Sequence, residues 1–352
     1  MITVARLALE PGMTLGEDVK TEKAGVVLPA RTVLDSVSIE KLARFDIMCV
    51  SIMEPEDFAT THYEKIALSK AFKEFEIVYH NNFQAYKYMV DCFIASSAPI
   101  NFDYLLKIYR ETAGSVTDPD LLLDMLYSMV PTEDNMTYAH CFNSALIAGA
   151  FSSFLKHDEE LQTQLILCGF LYDIGKLKLP PKLIWKPGKL NTFEYNWIKT
   201  HTKLGNDLIK SMNPPEYVFD AINMHHERCD GTGYPDKLSG DSIPYVARFT
   251  GIVDSYEAMT SARTWRSSLC PFQVIANFER GGFYQYDMDS LQKILEHFAC
   301  SQIGRVVRLS NGTECKVKII NPFTLSKPIV EDEFGQIINL STDNELTIET
   351  VL

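Results

Sequence analysis

The chain opens with short runs in which apolar and polar positions alternate. ITVARLAL, GVVLPARTVL and IMCVSIM, broken by PGM, AG and PED, predict strands of a small β-rich module over residues 1–60, with one short helix near SIEKLARF. From about residue 62 the period lengthens to that of a helix. YEKIALSKAFKEFEIVYHNNFQAYKYMVDCFI and DYLLKIYRE place apolar residues three and four apart, so residues 61–130 are expected to form a helical linker or signalling stalk. Residues 131–300 read as helix after helix, interrupted at PPK, KPG, NPP and DGTGYPDKLSG, and are the expected chemical core. Past Gly304 the alternation returns in RVVRLSNGTECKVKIINPF, with SNG as a turn, and in IINLSTDNELTIETVL. This predicts a small β-module over residues 301–352. The fold class is therefore mainly α, a helical bundle core with small β-rich modules at both chain ends.

Composition narrows the function classes. With 352 residues and 46% hydrophobic content, the chain can bury a core without covalent staples. The eight cysteines are scattered and contain no C-x-x-C pair, which argues against a disulfide framework or a thiolate zinc site and for a reducing cytoplasm. No stretch is long and apolar enough to predict a bilayer span, and the start does not read as a signal peptide. A net charge of −13 opposes bulk binding to duplex nucleic acid. A small anionic ligand needs only a local cluster of cations and stays open.

Within the helical core, ionisable side chains stand on otherwise apolar segments. His140 lies in TYAHCFNSALIAG, His201 in IKTHTKLG, and His225 and His226 in INMHHERCDGTGYP. Asp173 ends ILCGFLYD, and Asp254 is embedded in ARFTGIVDSYEAMTSAR. Taken singly, each reads as a hydrogen-bonded core residue. Taken together they predict a metal centre, because a buried carboxylate is costly unless paired or metal-bound, and imidazoles with carboxylates form a mixed nitrogen and oxygen donor set.

The motifs LYDIGK, THTKLG, MHHERCDGTGYP and VDSYEAMTSARTWR, with the literal GYP at Gly233, Tyr234 and Pro235, resemble the HD-GYP family of metal-dependent phosphohydrolases that act on cyclic di-GMP. The resemblance spans about residues 131–300, and the opening LEPGMTLGEDV and closing IGRVVRLSNG resemble segments found beside such cores. It implies an HD-type helical bundle holding two divalent ions, iron or manganese. His140, Asp173 and Asp254 match ligands of the first ion, and Asp173, His201 and His225 ligands of the second. His226 matches a ligand of a third ion. The family's accompanying glutamate is Met136 here, so a third ion is not expected.

Asp173 and Lys176 match catalytic positions, and Arg263, Arg266, Tyr234 and Lys189 are the expected substrate contacts. Tyr172 departs from the pattern, standing where the family has the histidine of its His-Asp pair. It reads either as a phenolate ligand or as a phenol packed beside the site. The implied activity is a cyclic di-GMP phosphodiesterase of reduced rate, forming pGpG and onward GMP. The alternative is an inactive cyclic di-GMP sensor, with a second copy or a signalling partner engaging the helical linker.

Overall fold

The computed structural model describes residues 1–21, 25–186, 188–261, 269–343 and 345–352, except the side chain of residue 133. The chain forms two compact units, Met1–Lys73 and Glu74–Leu352.

In the first unit, β1 (Ile2–Ala5) pairs antiparallel with β4 (Cys49–Ile52), and β2 (Val19–Thr21) with β3 (Gly25–Leu28). Helix α1 (Ser36–Arg44) is started by Asp35, whose carboxylate accepts the Ser38 N–H at 2.7 Å, satisfying one of the amides a helix start leaves open. The apolar members of the alternating runs, among them Leu15, Val27, Leu34, Leu42 and Val50, meet in one small core. Helix α2 (His62–Leu68) follows, and the division between the units falls in the first turn of α3 (Lys70–Ser96).

The second unit is mainly helical. After α3 come α4 (Phe102–Ala113), α5 (Pro119–Tyr127), α6 (Met136–Phe154), α7 (Glu159–Leu171), the short α8 (Pro181–Ile184), α9 (Thr192–Lys199), α10 (His201–Ile209) and α11 (Glu216–Met224). The bundle closes with α12 (Tyr245–Thr260), α13 (Pro271–Gly281) and α14 (Met288–Ser301). Helix α6 is apolar or small nearly all round and lies at the centre, against α5, α7, α12 and α14, as expected of a fully enclosed helix. A five-stranded antiparallel sheet ends the chain in the order β8-β7-β6-β5-β9, built from β5 (Val306–Leu309), β6 (Glu314–Ile319), β7 (Ile329–Asp332), β8 (Ile337–Asn339) and β9 (Ile348–Val351). Gly312 closes the β5–β6 hairpin at φ 85°, a conformation costly for other residues.

The segment expected as a stalk differs in the structure. From Glu74 onward α3 belongs to the same compact unit as the core, and Phe75, Tyr79, Phe83, Tyr86, Val90 and Phe93 are all buried. Tyr79 donates to Asn143 Oδ1 at 2.7 Å and Tyr86 to the Phe170 carbonyl at 2.8 Å. Helices α4 and α5 pack on α7 and α6. The physical reason is the width of the aromatic stripe, which a free-standing helix would leave in water. Among the described residues no helix is long and apolar enough to cross a membrane.

Candidate metal centre

The histidines and aspartates are delivered by the ends and centres of five packed helices. His140 stands in the second turn of α6. Helix α7 is capped by Asp158, which accepts the Leu161 N–H at 2.8 Å, and carries two glutamates in its first turn. It then runs apolar to Leu171 and releases Tyr172 and Asp173 at its end. His201 opens α10, His225 follows α11, and Asp254 lies within α12.

Gly175 explains how Asp173 and His201 come together. A Cβ there would lie 2.0 Å from the His201 carbonyl oxygen and 2.5 Å from the Gly205 nitrogen, so a side chain would push the turn Ile174–Lys178 off α10. The glycines of DIGK and THTKLG are thus a packing contact between the two segments that carry the donors.

Asp173 is the centre of the arrangement. It is fully buried, and neither carboxylate oxygen has a well-directed hydrogen bond, although nitrogens crowd both. Oδ2 lies 3.2 Å from His140 Nε2 and is in contact with the Lys176 ammonium, while Oδ1 lies 3.2 Å from His201 Nε2 and 3.7 Å from His225 Nε2. His140 Nε2 is also 3.1 Å from Asp254 Oδ1. Two donor groups result, His140–Asp173–Asp254 and Asp173–His201–His225–His226, and they share Asp173.

Each inward Nε2 is set by what the opposite ring nitrogen does. Nδ1 of His201 lies 2.6 Å from the Ile198 carbonyl, Nδ1 of His225 lies 2.8 Å from the Ala221 carbonyl, and Nδ1 of His140 meets Glu257. An N–H spent on a carbonyl or carboxylate leaves Nε2 as the free donor atom, the arrangement of metal-binding imidazoles. Glu257 was not anticipated from the sequence. It sits three residues after Asp254 on α12, the readable signal being that i, i+3 spacing, and also accepts from Asn143 Nδ2 at 3.2 Å.

Electrostatics divides the two groups. Burial opposes protonation of His140, but Glu257, Asp173 and Asp254 outweigh it and raise its pKa well above the ordinary imidazole value. Burial dominates at His201, pushed down to about 4, and lowers His225 and His226 as well. Burial also opposes the charges of Asp173 and Lys176, yet their mutual attraction prevails, holding the carboxyl low and the ammonium protonated. Tyr172 is fully buried, with its hydroxyl 2.6 Å from His140 Nε2, 3.0 Å from Ser144 Oγ and 3.4 Å from Asp254 Oδ1. Burial and then the charges of Asp254 and Asp173 push its phenol well up.

A cavity of about 350 Å³ opens onto the first group. His140, Lys176, His226, Asp254 and Lys186 line it, along with Met136 and the apolar Leu183, Ile184, Leu190 and Ile198. Lys189, expected at the substrate, is exposed and does not line this cavity. Lys186 does, held at 2.7 Å by Glu194, which also caps α9 with Asn191. Tyr234 stacks on His226, ring centroids 4.6 Å apart, instead of lining the cavity. Its loop is tied down by buried Glu227, which accepts the Asp236 and Leu238 N–H groups at 2.6 and 3.0 Å. A Cβ at Gly233 would lie 2.4 Å from the Arg228 nitrogen, so this loop requires the glycine of GYP. Arg263 and Arg266 lie outside the described residues.

Residues 121–289 match the HD domain family, so the core is an HD domain. The chain is 29% identical over 202 residues to a cyclic di-GMP phosphodiesterase of Pseudomonas aeruginosa, covering 57% of this chain and 48% of that protein. It is 33% identical over 151 residues to 3'3'-cGAMP-specific phosphodiesterase 1 of Vibrio cholerae, covering 43% and 35% respectively. To the cyclic di-GMP phosphodiesterase response regulator RpfG of Xanthomonas campestris pv. campestris it is 34% identical over 148 residues, covering 42% and 39%. The match spans less than half the length of each of these relatives. The GYP segment lies inside this HD domain, and together with these relatives it supports the HD-GYP family for the core.

Proposed function

We propose that the helical core is a metal-dependent phosphodiesterase acting on cyclic di-GMP, opening it to pGpG and cleaving onward to GMP. The observation that carries this reading is Asp173, a fully buried carboxylate without a well-directed hydrogen bond, between two sets of donor atoms. Lys176 meets one oxygen, but Asp173 and Asp254 bring two buried carboxylates to that one ammonium, an excess of negative charge that a bound cation would offset, and a mixed nitrogen and oxygen set suits iron or manganese. His140, Asp173 and Asp254 would hold one ion and Asp173, His201 and His225 the other, with His226 beside the second group. Met136 at the cavity wall offers no carboxylate for a third. Two such ions supply Lewis acidity, lowering the pKa of water and neutralising charge on the phosphodiester.

The chain's own residues account for the rest. Lys176, positioned by Asp173 and lining the cavity, is placed to meet a phosphate oxygen. Lys186 adds a second cation at the wall, and the apolar side chains of α8 and its surroundings offer surface to the guanine faces. Arg263 and Arg266 are proposed to contact phosphate or guanine, through the paired donors of guanidinium. Lys189 and Tyr234 have no such part in this reading. All eight cysteines are free, in keeping with a reducing, cytoplasmic setting.

A second reading, a cyclic di-GMP sensor without turnover, is favoured by Tyr172, whose phenol stands where the family's imidazole would be. One experiment separates the two. Protein loaded anaerobically with ferrous iron or manganese is incubated with cyclic di-GMP and the products are separated. Linear pGpG or GMP, absent without metal, supports the enzyme. Binding by calorimetry without product supports the sensor, and neither binding nor product refutes both.

A further inference from the structure

We infer that Tyr172 is a fourth ligand of the first donor group, holding its ion through the phenol oxygen. The inference rests on the metal-dependent reading above and concerns what replaces the family's imidazole. Tyr172 Oη lies 2.6 Å from His140 Nε2 and 3.4 Å from Asp254 Oδ1, and His140 Nε2 in turn lies 3.1 Å from Asp254 Oδ1 and 3.2 Å from Asp173 Oδ2. Atoms bound to one ion at about 2.1 Å stand about 3.0 Å apart around an octahedron and about 3.4 Å apart around a tetrahedron. The phenol oxygen therefore already has a shell spacing from Asp254 Oδ1, and it lies on the inward face of His140 at hydrogen-bond distance, a gap that widens to shell spacing when an ion stands between them.

The surroundings hold it there. The tyrosine ring is wedged edge-on between His140 and His225, with centroids at 5.5 and 4.8 Å, so the hydroxyl cannot swing away without displacing a donor. Ser144, one turn after His140 on α6, places its hydroxyl 3.0 Å from the phenol oxygen and can donate to it as phenolate. Ser144 thereby serves Tyr172 as Glu257 serves His140, orienting the donor from behind. Two carboxylates, one phenolate and one imidazole make an oxygen-rich set suited to iron, which tyrosine ligates elsewhere.

The test is optical. Protein loaded anaerobically with ferrous iron and then oxidised to the ferric state is expected to show a phenolate-to-iron charge-transfer band in the visible, with resonance-enhanced tyrosine ring vibrations. In Tyr172→Phe the band is lost, while iron analysis shows that the His201 and His225 group keeps its ion. In Tyr172→His iron is retained at both groups without the band. A band surviving in Tyr172→Phe, or full iron content in the unsubstituted protein with no band, overturns the ligation and leaves the metal-dependent reading standing. Failure of the unsubstituted protein to take up iron overturns both.

Discussion

Glu257 stands one helical turn after Asp254 and meets Nδ1 of His140, which turns Nε2 of that histidine toward Asp173, Asp254 and Tyr172. The link continues outward, since Asn143 donates to Glu257 and accepts from Tyr79 of α3. The helix expected as a stalk therefore buttresses the first donor group.

Replacing Glu257 by glutamine tests that link. The amide keeps the volume but loses the charge that holds the imidazole, so metal affinity at the first group should fall about 10- to 100-fold. The second group, whose histidines are set by backbone carbonyls, should be unaffected. Competition against a graded chelator measures both. Equal affinity in the variant and the unsubstituted protein would show that His140 needs no such partner.

The shared carboxylate predicts an asymmetric pattern of loss. His201→Ala or His225→Ala should remove the ion of the second group and leave the first, because each deletes a direct donor atom on one side. Asp173→Asn should weaken both. Metal content of the three purified variants checks this, and unchanged content in Asp173→Asn would remove Asp173 from the account.

Acidity should separate the groups. The raised pKa of His140 means that an ion taking its Nε2 displaces a proton throughout the neutral range, so affinity there falls as pH falls, by about tenfold per unit for that proton and by about a further tenfold per unit for the phenol proton that ligation by Tyr172 releases. His201, pushed down to about 4, is already neutral, and His225 and His226 are lowered too, so the second group gains no such proton competition until the solution is far more acidic. Metal titrations between about pH 6 and about pH 8 should show a sloping first affinity and a flat second one. A flat response from both groups would contradict the assignment of His140.

Glu227 is expected to matter for stability. It is buried and accepts two backbone N–H groups of the segment following GYP. Glu227→Gln presents an amide N–H to one of those donors and should cost about 1.5–3 kcal/mol, as for loss of a hydrogen bond to a charged acceptor. Denaturant unfolding with an unchanged slope measures it. A change below about 0.5 kcal/mol would place it with ordinary surface substitutions.

What the sequence made legible, and what it did not, follows from the range of the interactions. Period-two and period-3.6 patterning marked the terminal strands and the helical core, because burial on one face or all round is written locally. The donor residues stood out for a related reason, as ionisable groups on apolar segments. The stripe Tyr79, Phe83, Tyr86 was also readable as a helix, but its packing partners, Phe142 and Phe170, are far along the chain, and nothing local distinguishes a buttress from a stalk. That Lys186 lines the cavity where Lys189 was expected follows from Glu194, which caps α9 and draws Lys186 to the cavity wall. Glu257 was hidden by its type, since a glutamate within a helix ordinarily faces water.

The most direct measurement of the central claim is anomalous scattering from crystals of protein loaded anaerobically with iron or manganese. The account predicts two peaks, one within about 2.0–2.2 Å of His140 Nε2 and an oxygen of Asp254, the other at the same distance from His201 Nε2 and His225 Nε2. An oxygen of Asp173 should lie beside each. Loaded crystals with no peak at Asp173, or with ions bound elsewhere, would contradict it.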